Sequence, residues 1–471
     1  MTMIFQANQA SGLPTPTWIV PGLQAEFLGN TSSLRNAGPN VFYVHVTSSG
    51  FSIWTSLTSL LQSKKPALNP DFLRHHLRFG ETATHSTAWR DIYQLIPGAI
   101  LSLGAGVCSW RFEPWAREER DSETAGHPGT LLENVLSASP GAVVLELSGG
   151  VDSTAIAYSL SGRSDVEAIT WADPDAPDAS DVGHARRIAG KLGFEHRVAP
   201  VSPEALFVIP EQFEPDRPSV SLFMMAERDR FVRDVIGNRA DVVVVNGHGG
   251  DHIFLDPPSP IPMLDLLACG RFREALHYYR ALVEFHGAGV LAPLRYRHVG
   301  RGIGRASLSL GPGKRLHRRL IRQACYENAI WSRLGTPYKV IHPFTCPSML
   351  NYALSIKPHE YVGKGTSRLP FRMAMNDYHG TEDHSRVSKG HLTGVFQKAI
   401  GLKQGILAAL LEQGVGAKFS MYRVDEMQRA LKAAAFGSTD IHPRLMNALS
   451  LELLIQHWSR LSGMPRWQLD T

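Results

Sequence analysis

The chain has 471 residues, 43% hydrophobic and 19% charged, enough for two to four domains of roughly 100–200 residues and incompatible with global disorder. Its 48 Lys and Arg against 43 Asp and Glu leave +5, too dilute an excess over this length to mark a nucleic-acid binder. Cys108, Cys269, Cys325 and Cys346 form no CxxC pair, which argues against a structural zinc site and a disulfide framework.

The opening MTMIFQANQASGLPTPTW has no basic start followed by an apolar stretch, so it does not read as a secretory signal. No window approaches the roughly 18 apolar residues of a membrane span. The expected compartment is the cytoplasm. Residues 1 to 115 read as strands and turns with one or two helices. Val41–Val46 is β-branched and aromatic, the composition of a strand. Trp54–Gln62 and Asp71–Phe79 have helical apolar spacing. Ala99–Leu103 and Cys108–Phe112 read as a hairpin around Gly104 and Gly106. The charged stretch after Trp115 is the expected linker.

From residue 131 strands and helices alternate. Strands are expected at Ala142–Leu147, Val166–Trp171, around His196–Val198 and at Asp241–Val245. Between them, helices are expected at Ser153–Leu160, Asp181–Leu192 and Ser221–Ile236. The fold class is therefore α/β with a doubly wound parallel sheet. Beyond Pro260 the pattern is helical, broken by a Gly/Arg-rich segment, Gly300–Arg319.

Ser148-Gly149-Gly150-Val151-Asp152-Ser153 lies between a strand and a helix. Paired glycines admit an anion close to the backbone, and the helix start supplies unpaired N–H groups. With hydroxyls at Ser148, Ser153 and Thr154, this is a cradle for a nucleotide phosphate. No Gly-Lys pair here has the spacing of a Walker A loop. A second glycine turn, Asn246-Gly247-His248-Gly249-Gly250-Asp251, follows the strand ending at Val245, where open α/β sheets bind ligands. Asp152 and Asp251 are the expected Mg²⁺ ligands.

SGGVDS followed by a GxGGD-type turn resembles the ATP-pyrophosphatase domain of the asparagine synthetase superfamily. Ser180-Asp181 to His196, His342-Pro343-Phe344-Thr345-Cys346-Pro347, Lys364–Met375 and Arg386-Val387-Ser388-Lys389-Gly390 resemble further segments of it. Cys346 stands where the family has aspartate. The N-terminal third is similar to the family's glutaminase domain at Ser56–Leu61 and Leu95–Leu103. Glutamine-hydrolysing members carry a cysteine after the initiator methionine, whereas Thr2 stands there in this chain. The resemblance therefore implies an Ntn-type α+β sandwich without its nucleophile over residues 1–117, a linker at 118–130 and a synthetase domain over 131–471. That last domain divides into a Rossmann-like core at about 140–256 and a helical part at 257–471.

The string Gly247-His248-Gly249-Gly250-Asp251-His252-Ile253-Phe254 resembles lasso peptide cyclases, with a small-molecule amide synthetase of the β-lactam or carbapenam type, or an asparagine synthetase-like enzyme without glutaminase activity, as the alternative. The cyclase resemblance implies ATP and Mg²⁺ and adenylation of an Asp or Glu side chain in a precursor peptide. The peptide's own N-terminal amine then attacks. It further implies a peptide-recognition protein and a leader peptidase as partners, and no nucleic acid. Leu147, Ile169 and Trp171 would line the adenine on one side, Asn246 and Gly247 on the other, Trp171 reading equally as a core aromatic. Ser148, Gly149, Gly150, Val151, Asp152 and Ser153 would hold pyrophosphate. His248 would act as general base or as an orienting group for its loop. Lys389 would stabilise charge on the adenylate, with Arg386 and Arg372 at the phosphates. Glu214–Pro218 reads as a Pro-rich turn between helices or as a loop that contacts the peptide, and Lys314 to Arg322 as a solvated basic helix face or an acidic-partner site.

Overall fold

The computed structural model describes residues 3–8, 17–28, 31–104, 107–114, 126–139, 141–176, 181–239, 241–287, 289, 310–331, 338–387, 390, 392–438 and 442–462. Most of the expected linker and part of the Gly/Arg-rich segment lie outside them.

The N-terminal third contains β1 (Met3–Asn8), β2 (Thr17–Val20), β3 (Leu23–Leu28), β4 (Thr31–Asn36), β5 (Phe42–Thr47), β6 (Gly50–Trp54), β7 (Ile92–Leu95), β8 (Ala99–Gly104) and β9 (Val107–Phe112). Helices α1 (Leu57–Lys64) and α2 (Pro70–Phe79) separate β6 from β7. Two antiparallel sheets result, ordered β1-β6-β5-β7 and β2-β3-β4-β8-β9. Alternation decides which side of a strand is buried: along β8, Ala99, Leu101 and Leu103 point inward. Trp54 ends a strand rather than opening a helix, because Ser56 caps α1 by accepting from Ser59 N–H at 3.2 Å.

After α3 (Pro128–Ser137) come β10 (Val143–Glu146), α4 (Val151–Ser159), β11 (Val166–Ala172), α5 (Val182–Leu192), β12 (Glu195–Pro200), α6 (Met225–Ile236) and β13 (Val243–Val245). The rest is α7 (Gly250–Ile253), α8 (Met263–Ala268), α9 (Phe272–His286), α10 (Pro312–Asn328), β14 (Lys339–Ile341), α11 (Pro347–Ser355), a two-stranded ribbon of β15 (Val362–Gly363) and β16 (Thr366–Ser367), α12 (Leu369–His379), α13 (Thr393–Leu402), α14 (Gln404–Glu412), α15 (Val415–Lys418), α16 (Val424–Ala435) and α17 (Pro443–Ser462). The parallel sheet has the order β12-β11-β10-β13-β14. Its central strands β10 and β13 are mostly apolar because both faces are covered, whereas the edge strand β12 is polar and largely exposed. Val143 and Leu145 pack with α3, α4 and α5, whereas Val144 and Ile169 pack with Phe231, Val232 and Val235 of α6.

Three expectations change. The strand β14 was not anticipated. The Gly/Arg-rich break does not extend to Arg319, since α10 starts at Pro312, a favoured first helical residue. Residues Val220–Met224, expected as the start of a long helix, form a 3₁₀ turn before α6.

The N-terminal sheets do not have a core to themselves. Leu23, Val44, Ile53 and Trp89 belong to one buried cluster with Phe223, Tyr326, Leu411, Leu449 and Trp458. Glu214–Pro218 is the polar seam of that junction, buried there and neither a plain turn nor a loop open to a peptide. Arg217 and Asp216, 1% and 0% exposed, form an ion pair at 2.7 Å. Arg217 also donates to Gln94 Oε1 at 2.8 Å and Tyr326 O at 2.6 Å, and Glu214 accepts from Ser56 Oγ at 2.9 Å. The basic side of α10 is no open face either: His317 is buried and Arg322 donates to Phe112 O at 2.7 Å.

Candidate active site

From β10 the chain runs outward to β11 and β12, then returns to the other side of β10 as β13. That reversal leaves a crevice at the carboxyl ends of β10 and β13. A cleft of about 660 Å³ opens there, lined by both glycine turns. Two glycines are required by close approach. At Gly149 (φ 69°) an added Cβ would sit 2.8 Å from His184 Cβ, and at Gly250 it would run into the Asp152 carboxylate.

The first turn is tied to itself. Ser153 Oγ accepts from Ser148 N–H at 3.2 Å and donates to Gly150 O at 3.2 Å. No side chain caps α4, so its first N–H groups are presented to the cleft, which favours an anion. Leu147, Ser148, Gly150, Val151, Asp152, Ser153, Trp171, Asn246, Gly247, His248, Asp251 and Arg386 all border the cleft. Gly149 lies behind the turn, its carbonyl accepting from Arg386 Nη1 at 3.0 Å. Ile169 departs from expectation: its side chain is fully buried in the sheet on the α6 side, so it does not line an adenine site. Trp171 borders the cleft and also packs edge-on against Phe231 at 5.6 Å. Lys389 lies outside the described residues.

Asp152 and Asp251 face one another across Arg368, a residue that sequence reasoning did not single out. Its guanidinium donates to Asp152 Oδ2 at 2.6 Å and also pairs with Asp251 and Asp256. Burial opposes its charge, but the three carboxylates raise the pKa well above the ordinary arginine value. Arg368 sits in the left-handed region (φ 58°) directly before α12, a conformation that side chains rarely adopt. Three carboxylates against Arg368 and the neighbouring Arg372 still leave a surplus of negative charge. Hard oxygen donors on two facing turns are what Mg²⁺ takes when substrate phosphates complete its shell. Among the described residues no group of three His, Cys, Asp or Glu forms an all-protein metal cage, and a site of that shared kind needs none.

Arg386 and Arg372 are not solvated helix charges. Arg386 Nη2 donates to Asp181 Oδ1 at 2.6 Å, and Gly390 N–H reaches the same oxygen at 2.8 Å. Arg372 Nη1 donates to His384 O at 2.8 Å and Arg386 O at 2.7 Å, fixing the segment that carries Arg386.

The second turn is held through its main chain. Asn246 Oδ1 accepts from His248 N–H at 3.1 Å, and Asn328 Nδ2 donates to His248 O at 3.2 Å. Among the described residues the His248 ring makes no hydrogen bond, so the ring itself does not orient the loop. Solvent reaches that ring from the cleft while protein surrounds its other sides. Desolvation lowers its pKa against the opposing pull of Glu327, which keeps it neutral near pH 7. Behind it, Glu146 accepts from Arg228 Nε at 2.7 Å and Asn246 Nδ2 at 2.8 Å. Burial would raise this carboxyl, but Arg228 and the hydrogen bonds outweigh it and hold Glu146 below the usual range. The signal for Glu146 was a lone charge at the carboxyl end of an apolar strand. For Asp256 it was a second acid shortly after Asp251.

Comparison with curated proteins gives no match to the chain. The family model for asparagine synthase matches residues 138–287, a span that holds both glycine turns, Asp152, Asp251 and Asp256 but ends before Arg368 and Arg386. The segment 138–287, which carries β10 to β13 and both glycine turns of the cleft, is thus similar to asparagine synthase, a family of ATP-dependent, AMP-forming amide ligases.

Proposed function

We propose that the protein closes a macrolactam in a ribosomally made peptide of the lasso type. In the first step an Asp or Glu side-chain carboxylate of the peptide attacks the α-phosphate of ATP, forming an acyl-adenylate and releasing pyrophosphate. In the second, the peptide's N-terminal amine attacks the acyl carbon, forming the amide and releasing AMP. A carboxylate needs this activation because oxide is too poor a leaving group. Turn 148–153 and the start of α4 bind the departing pyrophosphate. Asp152 and Asp251 would hold Mg²⁺, which neutralises phosphate charge when bound. Arg386 borders the same pocket, and Lys389 is assigned to charge developing on the adenylate.

An N-terminal amine has an ordinary pKa of about 7.7–8.0 and must be neutral to attack. His248, uncharged and on the cleft wall, is the proton acceptor. Residues 1–117 are proposed as a glutaminase relic. The one cysteine of that stretch, Cys108, lies half-buried on β9, where burial pushes its thiol up to about 11, unsuited to nucleophilic attack.

The observation that carries the amide-ligase reading is the convergence of both glycine turns on one cleft that holds Asp152 and Asp251. The GHGGDHIF string, with histidine ahead of the paired glycines, supports the peptide-cyclising form of it. Incubation of the protein with MgATP and a leader-free candidate precursor tests the proposal. The expected products are AMP, pyrophosphate and a peptide lighter by one water. Turnover of a small amino-acid derivative without any peptide reaction would overturn it.

A further inference from the structure

A second cavity, of about 820 Å³, lies where the N-terminal sheets meet the synthetase domain, within the range of ligand pockets (roughly 300–1,000 Å³). It shares a wall with the nucleotide cleft. Asn328 and His342 line this cavity and not the cleft, and each spends one polar atom on the cleft's loop. Asn328 Nδ2 donates to His248 O at 3.2 Å, and also to Thr345 Oγ1 at 3.1 Å. His342 Nδ1 meets Asn246 Oδ1 at 2.8 Å. Asn246 Nδ2 is committed to Glu146, so the atom facing His342 is an acceptor and His342 Nδ1 carries the proton. Its Nε2 is then a bare acceptor.

That leaves two acceptors, Asn328 Oδ1 and His342 Nε2. Both are buried and have no hydrogen-bond partner, on side chains 4% and 7% exposed. Both atoms are closed off within the wall between cavity and cleft, so what the cavity offers a ligand is set by its mouth. At the mouth stand Arg35 on β4, Arg111 on β9 and Lys339 on β14, all exposed and, among the described residues, without ion-pair partners. The one lining carboxylate, Glu113, already lies in the field of Arg318 and Arg322.

We propose that this interdomain cavity binds a segment of acidic peptide. Carboxylates on the peptide would meet Arg35, Arg111 and Lys339. Cations carried on three separate strands favour a chain with several acidic groups over a single free amino acid. The site is distinct from the cleft in which the reacting carboxyl is activated, and its occupancy requires neither ATP nor macrolactam chemistry.

The test uses the full-length, nucleotide-free protein and a fluorescent peptide of alternating alanine and glutamate, read by anisotropy. Saturable binding is expected, weakening as salt rises. It should fall about tenfold or more in Arg111→Glu, which reverses a mouth charge, and in Ala138→Trp, which fills the cavity from an exposed lining position. Both variants should melt as the wild type does. Absence of saturable binding, equal binding of an alternating alanine–lysine peptide, or affinity unchanged in both variants would overturn the proposal. So would binding of free L-glutamate with none of the peptide.

Discussion

Arg368→Met takes one guanidinium away from Asp152, Asp251 and Asp256 and leaves three carboxylates facing one another in a partly dehydrated cleft. Removing one partner of a buried charge cluster costs about 3–5 kcal/mol, so the melting midpoint should drop. Added Mg²⁺ should restore more of that loss than it adds to the wild type, because the ion then replaces the missing cation. Equal Mg²⁺ shifts in both proteins would remove the metal from Asp152 and Asp251. His248→Ala tests the other wall of the cleft. Pyrophosphate release should persist, while amide formation slows by roughly 100-fold, the low end for a general base. Rapid-quench analysis separates the two steps. The two aspartates and the histidine were legible because they sit in short glycine-flanked turns. Arg368 was not, since its role depends on a left-handed backbone position that brings β16 and α12 up to turns more than a hundred residues earlier.

At the scale of elements, two helices are anchored by histidines that fold neutral. His76 of α2 bonds to Asn447 O and Ser450 Oγ of α17, both at 3.1 Å, and His317 of α10 bonds to Ile253 O of α7 at 2.6 Å. Burial lowers each ring from 6.5 to about 4. Between those values the unfolded chain takes up protons that the native state does not, so stability is full above pH 6.5 and falls as pH drops toward 4. Each ring should contribute on the order of 3 kcal/mol to that loss. Denaturant melts at pH 7 and pH 4.5, repeated for His317→Gln, measure it; a pH dependence unchanged by the substitution would contradict the account. The parallel strands were readable in outline because both faces are buried, which makes β10 and β13 nearly continuous apolar runs and leaves only Glu167 and Thr170 as polar residues in β11. The fifth strand, β14, escaped because Lys339–Ile341 has only three residues, one of them exposed, and no periodicity develops over so short a span. The basic stretch of α10 misled for another reason. Arg322 donates to Phe112 O and Arg318 lies in the field of Glu113, contacts with the N-terminal third that no local pattern announces.

For the molecule as a whole, the junction between the N-terminal sheets and the remainder matters more than any linker. Arg217→Ala would remove the ion-pair partner of the fully buried Asp216 and should destabilise the protein by about 3–5 kcal/mol. The sheets and the C-terminal helices should then unfold together, since Val44, Trp89, Leu449 and Trp458 share one cluster. Two separated calorimetric transitions in the wild type would contradict that coupling. This seam was the least legible feature of the chain, because Glu214–Pro218 has the composition of a Pro-rich turn and is buried through contacts from distant residues such as Ser56, Gln94, Tyr326 and Trp458. The measurement that bears most directly on the central claim follows one oxygen atom. If the acceptor carboxylate of the substrate is labelled with heavy oxygen and turned over with MgATP, one label should appear in AMP and none in inorganic phosphate. Label in phosphate with ADP released, or none in either, would contradict an acyl-adenylate formed between the two glycine turns.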